Sequence, residues 1–257
     1  MAIFSPSESP AITFREVDLT GVVPNVQSTT GAIVGNYRWG PVREATKVAT
    51  ETELAATFAT PSSTSAVDFL SAAYFLRYSS SLYVIREATS GAVNANSAGT
   101  GSVTVRNKAH FDTLDGTFGT DSGDTNTGAW LARYPGALGN SLKVAICPVG
   151  SDSGGTFFSQ WTYTTQFDGA PGTSEYAAAR SSADDEVHIV VIDENGLFSG
   201  TPGTILERYA FLSLASDAKT NDGSSNYAKD VINNGSEYVY LVTFEGTLSA
   251  LTNAGTA

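Results

Sequence analysis

Two residue types that carry much of protein chemistry are nearly missing from this 257-residue chain, which has one cysteine and two histidines. A single cysteine, Cys147, excludes an intramolecular disulfide and a thiolate metal cage. It falls in the apolar run LKVAICPV, where a cysteine reads as a small buried hydrophobe. Positive charge is scarce as well. Fourteen Lys and Arg stand against twenty-six Asp and Glu, a formal net charge of −12, and the basic residues do not cluster. A nucleic-acid groove needs such a cluster, so direct nucleic-acid binding is disfavoured. No apolar run approaches the roughly 18 residues a membrane helix requires. The start, MAIFSPSESP, has neither the basic beginning nor the apolar core of a secretory signal. The expectation is a soluble protein made in a cytoplasm, without membrane insertion.

Apolar residues make up 41% of the chain and charged ones only 16%, which places it among globular rather than disordered sequences. The chain is organised around Thr29–Val42, TTGAIVGNYRWGPV. Ala32, Ile33 and Val34 form a short apolar run between two glycines, the mark of a buried strand, and Arg38-Trp39-Gly40-Pro41 breaks it. Downstream, Thr50-Glu51-Thr52-Glu53 fits a capping box ahead of Leu54 and Phe58. A second helix opens at Ser65 with an apolar stripe of Phe69, Leu70, Ala73, Tyr74 and Leu76, and Leu82–Arg86 is a β-rich run. Strand, helix, helix, strand is an α/β layer with the second helix packed on the sheet.

Upstream, Ile12–Val17 alternates apolar and polar residues, with Ile12 and Phe14 on one side and Thr13 and Arg15 on the other. It has no hairpin partner nearby. Two readings stay open: a strand that pairs along its own sheet edge or another subunit's, and a frayed terminus.

From Thr89 to about Gly101 small residues predominate, a plausible domain crossing. Beyond it, Leu142–Cys147 predicts a strand, and Phe157, Trp161, Tyr163 and Phe167 at odd positions predict a half-buried strand with one aromatic face. VHIVVID, from Val187, reads as a strand buried on both faces. Ile205–Leu214 looks helical, Ser225–Asn233 makes a further helix, and Glu237–Phe244 a last strand. The fold class expected is α+β: an α/β core layer with an inserted all-β module and an extended N-terminal arm. The divisions are 1–20 for the arm, 21–95 for the first part of the core, 96–186 for the inserted module and 187–257 for the second part of the core.

Three strings could carry chemistry, and each has a plainer reading. Asp152-Ser153-Gly154-Gly155 echoes a serine-protease nucleophile loop, but neither His110 nor His188 has the context of a general base. A polar surface turn is the better reading. Asp184-Asp185-Glu186 with His188 could supply metal ligands, since Glu186 and His188 share a strand face, yet no second cluster completes the set. A solvated edge before a buried strand is preferred. The aromatic face of Phe157–Phe167 could bind a sugar or a partner, and more often such a face is core. No catalytic residue, metal or cofactor is expected.

Several segments together resemble the contractile-tail sheath proteins of phages. Ser9–Thr20 (SPAITFREVDLT) is similar to the family's N-terminal arm, with Ala11 where glycine is usual. Thr29–Val42 resembles its first core strand and WGP turn, and Ala132–Val144 (ARYPGALGNSLKV) its "NPGxWGN-LKV" segment. Val187–Asp193, Glu207–Phe211, Ser224–Tyr227 and Asp230–Asn233 follow in the family's order.

The resemblance implies a structural subunit that polymerises helically around an inner tail tube and contracts to drive the tube through the host envelope. Its partners would be further copies of itself, the tube protein, and baseplate and tail terminator proteins, in a virion tail assembled in the host cytoplasm. Ile12, Phe14, Arg15, Glu16 and Val17 would form the inter-subunit arm. Such proteins continue into a large C-terminal domain that surrounds the tube and receives neighbours' arms. These 257 residues stop before it, so the expectation is a portion of a longer protein or an inner domain supplied elsewhere. The alternative from another class is a baseplate or receptor-binding β protein using the aromatic segment.

Overall fold

In the computed structural model of the chain, the structure describes residues 29–97, 102–115, 127–149 and 156–243. The arm residues Ile12, Phe14, Arg15, Glu16 and Val17 lie outside the described residues, as does the string Asp152–Gly155.

Three strands, β1 (Gly31–Asn36), β2 (Ala45–Val48) and β3 (Leu82–Glu87), make the first sheet in the order β1-β3-β2. β1 runs parallel to β3, with Ile33 beside Val84, and β2 runs antiparallel to it. The chain between β2 and β3 forms two helices, α1 (Glu51–Phe58) and α2 (Ala66–Leu76), as the apolar periodicity predicts. The capping box is real: Thr50 Oγ1 accepts the Glu53 amide at 3.1 Å, and Glu53 Oε2 reaches back to the Ala49 amide at 2.8 Å. Such a box is worth about 1 kcal/mol. The second helix opens differently. Asp68 does not close a box but accepts the Asn36 amide at 2.7 Å, tying α2 to the end of β1. That approach requires the two glycines of the strand: a Cβ at Gly31 would run into the Phe75 ring, and one at Gly35 would meet the Asp68 side chain at 2.8 Å. Val48, Leu54, Phe58, Phe69, Leu82 and Val84 fill the space between helices and sheet.

The next stretch packs α3 (Lys108–Leu114) and adds β4 (Trp130–Ala132) and β5 (Leu142–Pro148). It is not an empty crossing. Asn94 donates to the carbonyls of Val105 (3.2 Å) and Ala132 (2.8 Å) and accepts the Val105 amide at 2.7 Å. Two short helices, α4 (Thr156–Gln160) and α5 (Glu175–Ala178), precede β6 (Glu186–Asp193), the VHIVVID strand. β6 is the middle of an antiparallel sheet, paired with β5 on one side and β7 (Thr204–Ser213) on the other. Finally α6 (Ala228–Gly235) leads into β8 (Val239–Leu241), which pairs with β4. The main core lies on the β5-β6-β7 sheet, where Leu142, Val144 and Ile146 meet Val187, Ile189 and Val191.

The chain is mixed α+β, as expected. Within 96–186, however, β4 and β5 are accompanied by α3, α4 and α5, so the segment is not built of strands alone. Two further expectations are corrected. Phe157–Phe167 is no strand but α4 followed by a 3-10 turn at Thr164–Gln166. Thr164 Oγ1 fixes it by donating to the Phe158 and Trp161 carbonyls at 2.5 and 2.6 Å. Phe157 and Trp161 also fall four apart and Phe158 and Trp161 three apart, a helical spacing that competes with alternation. Ile205–Leu214, helical in composition, is the strand β7, because the edge of β6 offers it a continuous ladder.

Candidate functional site

The two segments of most distinctive wording, RWGP and ARYPGAL, meet at a single side chain. Arg86, near the end of β3, is 3% exposed. Its guanidinium donates to four carbonyls: Tyr37 (2.8 Å), Gly40 (2.8 Å), Arg38 (3.3 Å) and Pro135 (2.7 Å). One cation thus folds the Tyr37–Gly40 turn back on the sheet and fastens it to the segment before β5. Burial pushes the guanidinium down to about 10. The turn is tight. Gly40 sits at φ +97, and a Cβ there would meet the Phe58 ring at 2.7 Å and the Thr57 carbonyl at 2.9 Å. Beside it Trp39 is buried, edge-on to Tyr134 at 5.3 Å and Phe198 at 4.9 Å. Residues from four distant parts of the chain therefore lock around the turn. Sequence reasoning singled out the turn but missed Arg86; an arginine closing an otherwise apolar run, LYVIR, was the available signal.

Among the described residues, the layer behind this turn is covered on one side only. Helices α1 and α2 bury the face carrying Ile33, Leu82 and Val84. On the opposite face Ala32, Val34, Ala45, Lys47 and Tyr83 are exposed, with Val34 at 61%. β1 is also an edge strand. The outer side of α2 is apolar too: Val67, Leu70 and Tyr74 lie three and four apart and are 76%, 46% and 56% exposed. Apolar surface of this extent is usually covered by something in the working protein.

The acidic string does not converge on a metal. Asp185 accepts the Ser174 amide and hydroxyl at 2.8 Å each and the Ser213 hydroxyl, all within the fold. Burial alone would raise its carboxyl, and these donors outweigh that and hold it below the ordinary range. Glu186 accepts the Gly172 amide at 2.8 Å. His188 is fully buried: Nδ1 accepts the Phe211 amide at 3.0 Å, which leaves Nε2 to donate to the Gly169 carbonyl at 2.9 Å. Its ring stacks on Phe167 at 4.3 Å and meets Phe158 and Phe211 edge-on. Among the described residues no group of three His, Cys, Asp or Glu could hold a metal ion. Cys147 is buried opposite His188 in the ladder, and burial pushes its thiol up to about 11. In the aromatic segment 157–167, Phe158 and Phe167 pack on His188, while Trp161 meets Tyr163 and Phe167 and stays half-buried. No described helix is long and apolar enough to cross a membrane.

What these elements define is a mixed α+β chain with a locked turn and an uncovered sheet face, without an assembled catalytic or metal centre among its described residues. Comparison with known proteins gives its relationship. No family model matches the chain. A tail sheath protein of Salmonella phage ViI is 32% identical over 206 residues, 80% of this chain and 29% of that protein. The tail sheath protein of Enterobacteria phage T4 is 36% identical over 78 residues, 30% of this chain and 12% of its own length. That of Vibrio phage KVP40 is 32% identical over a stretch of the same length. The chain is homologous to phage tail sheath proteins, over 80% of its length in one case and 30% in the other two, and it spans under a third of the relatives it matches. Sheath tail proteins from Listeria innocua and Desulfitobacterium hafniense align at 12% and 11% identity, with TM-scores of 0.37 and 0.41, covering 30% and 37% of those chains.

Proposed function

We propose that the chain is part of a structural subunit of a contractile phage tail sheath, which polymerises with copies of itself around an inner tube and shortens to drive the tube into the host. The observation that carries this reading is the 32% identity across 80% of the chain to a protein named as a tail sheath protein. The reading is structural rather than enzymatic, on the strength of relatives named as tail sheath proteins. The structure agrees in kind. A layer that the described residues cover on one face, with β1 at its edge, suits a protein that completes its packing through others. Different surfaces meeting head to tail generate an open filament rather than a closed ring, which is what a sleeve requires. The tube, baseplate and tail terminator proteins would be the further partners, and the virion tail the place.

Residues 1–20 take the linking role in this reading. Ile12, Phe14, Arg15, Glu16 and Val17 form a strand that adds to a neighbouring subunit's sheet and keeps subunits joined while other contacts repack. The test is electron microscopy of the complete protein as the phage makes it, purified alone and with its tube. Regular sleeves are expected from the wild type. Removing residues 1–20, or Phe14→Pro, which deletes one ladder donor, should abolish ordered growth while leaving the circular dichroism melt unchanged. Ordered sleeves from the truncated protein would remove the arm from the linking role; no sleeves under any condition, tube included, would count against the sheath reading itself. The receptor-binding alternative would need a strand with one aromatic face, and Phe157–Phe167 forms α4 and a 3-10 turn instead, with Phe167 stacked on His188.

A further inference from the structure

Beside the locked turn lies a cavity of about 310 Å³, walled by the Asn36–Arg38 segment, the Ser62–Ser65 turn, Arg86, Thr89 and the Gly136–Leu138 turn. Two arginines and several hydroxyls line it, and no carboxylate of the described residues does, in a chain whose net charge is −12. The nearby carboxylate of Asp68 is already engaged by the Asn36 amide. Arg86 is held by carbonyl dipoles only, and no ion pair is formed by it or by Arg38 among the described residues. Buried charges are ordinarily paired, because dipoles offset only part of the cost of leaving water. Four of the five guanidinium N–H groups of Arg86 are used, which leaves one on Nη1. Arg38 spends one Nη1 hydrogen on the Thr60 carbonyl at 3.2 Å and keeps the rest of its donors. The hydroxyls of Ser62, Thr64 and Ser65 are linked at 3.0 and 3.1 Å and can turn their hydrogens as a charge in the cavity requires.

We propose that this cavity is an oxyanion site, built to take a carboxylate-sized anion between Arg38, the hydroxyls of the 62–65 turn and the charge of Arg86. A carboxylate fits the donor set: a planar fork from Arg38, hydroxyl donors beside it, and a fixed positive charge behind. Two sources share this chemistry, a free anion from solution and an Asp or Glu side chain of a second copy of this chain. The proposal does not depend on the sheath reading, because binding is measured on the isolated chain.

Sodium acetate serves as the probe, titrated at constant ionic strength against chloride while the side-chain Nε–H resonances of Arg86 and Arg38 are followed by NMR. Saturable shifts of both are expected in the wild type, and the affinity read from Arg86 should weaken at least threefold in Arg38→Gln. Shifts that are absent, or that rise linearly without saturation and equally in Arg38→Gln, overturn the site. A second variant guards against a silent probe. Thr89→Glu, at an exposed residue of the cavity wall, plants a carboxylate there and should abolish the acetate response; an undiminished response in the folded variant overturns the site as well. Sedimentation velocity then assigns the source. Self-association that acetate reverses and Arg38→Gln abolishes identifies a second copy's carboxylate, and a monomer that binds acetate at all concentrations identifies a free anion.

Discussion

At β6, His188 faces two residues of β7 where an unbroken ladder would set one. Val187 pairs with Leu212 and Ile189 with Tyr209, so Ala210 and Phe211 share the place opposite the imidazole. Phe211 takes φ +52 at this bulge, and its amide turns to His188 Nδ1 instead of to a strand carbonyl. The histidine is therefore a backbone partner, neutral and with its tautomer fixed. Burial lowers its proton affinity, against smaller opposing effects of the Gly169 carbonyl and the Glu186 charge. The sign follows. The unfolded chain takes up this proton near pH 6.5 and the folded chain resists it, so the stability is full above about 6.5 and falls as pH drops toward the folded value. His110, also lowered by burial and by Arg106, adds in the same direction. Melting temperature should decline between pH 6.5 and 5, and the decline should be smaller in His188→Gln; an equal slope in that variant removes His188 as its origin. A second residue acts by the same economy. Asp193 accepts Ser141 Oγ at 2.5 Å, the Leu197, Phe198 and Ser199 amides at 3.0, 2.9 and 2.8 Å, and Ser199 Oγ at 2.8 Å, closing the loop after β6. Asp193→Ala strands several of these donors and should cost about 3 kcal/mol or more in denaturant melts. A loss under 1 kcal/mol would mean that water replaces the carboxylate.

Among the elements, those set by local chemistry were readable and those set by distant partners were not. The Thr50–Glu53 box, the glycine-bounded β1 and the continuously apolar β6 state their structure within a few residues. β7 does not. Leu206, Glu207, Arg208 and Ala210 favour a helix, and only the free edge of β6 makes them a strand. β2 was missed because ATKV carries no pattern of its own and becomes a strand by pairing with Tyr83 and Ile85. The same holds for the site. RWGP was recognisable as a turn, but its lock is a side chain 46 residues downstream of Gly40. The acidic string was legible as residue types and misleading as chemistry, since Asp185, Glu186 and His188 are committed to backbone or hydroxyl partners and Asp184 is exposed. The turn makes its own prediction. Gly40→Ala places a methyl against Phe58 and the Thr57 carbonyl at a φ that L residues avoid. It should destabilise the chain by about 2 kcal/mol or more, through both strain and overpacking. A chemical melt compares it with Gly91→Ala, also at positive φ but with open space around it. Equal losses in the two would show that backbone strain alone is at work and that the packing against α1 contributes nothing.

On the scale of the whole molecule, the question is whether residues 96–186 can be lifted out of the rest. The change of texture at Thr89–Gly101 and at Val187 argues for a separable unit. The pairing argues against one: β5, inside that span, lies along β6, outside it, from Leu142 beside Asp193 to Pro148 beside Val187. β4, also inside, is the partner of β8, outside. Excision would leave β6 with one neighbour instead of two and bare the run Val187–Ile192, an exposed apolar edge of the kind that aggregates. It would also take Leu142, Val144 and Ile146 from the core in which Val187, Ile189 and Val191 are buried. The first sheet stands apart from this damage, because its strands, both its helices and their packing residues all come from 31–87. Replacing 96–186 by a short Gly/Ser linker should therefore give a chain that keeps the helical signal of α1 and α2 but has lost a single cooperative melt, with dye-binding apolar surface exposed. Amide exchange resolves the two halves: protection retained in β1 and β3 and lost in β6 is the expected pattern. A soluble product that melts in one sharp transition, with β6 amides still protected, would establish 96–186 as an independent insert and the ladder across residue 186 as dispensable.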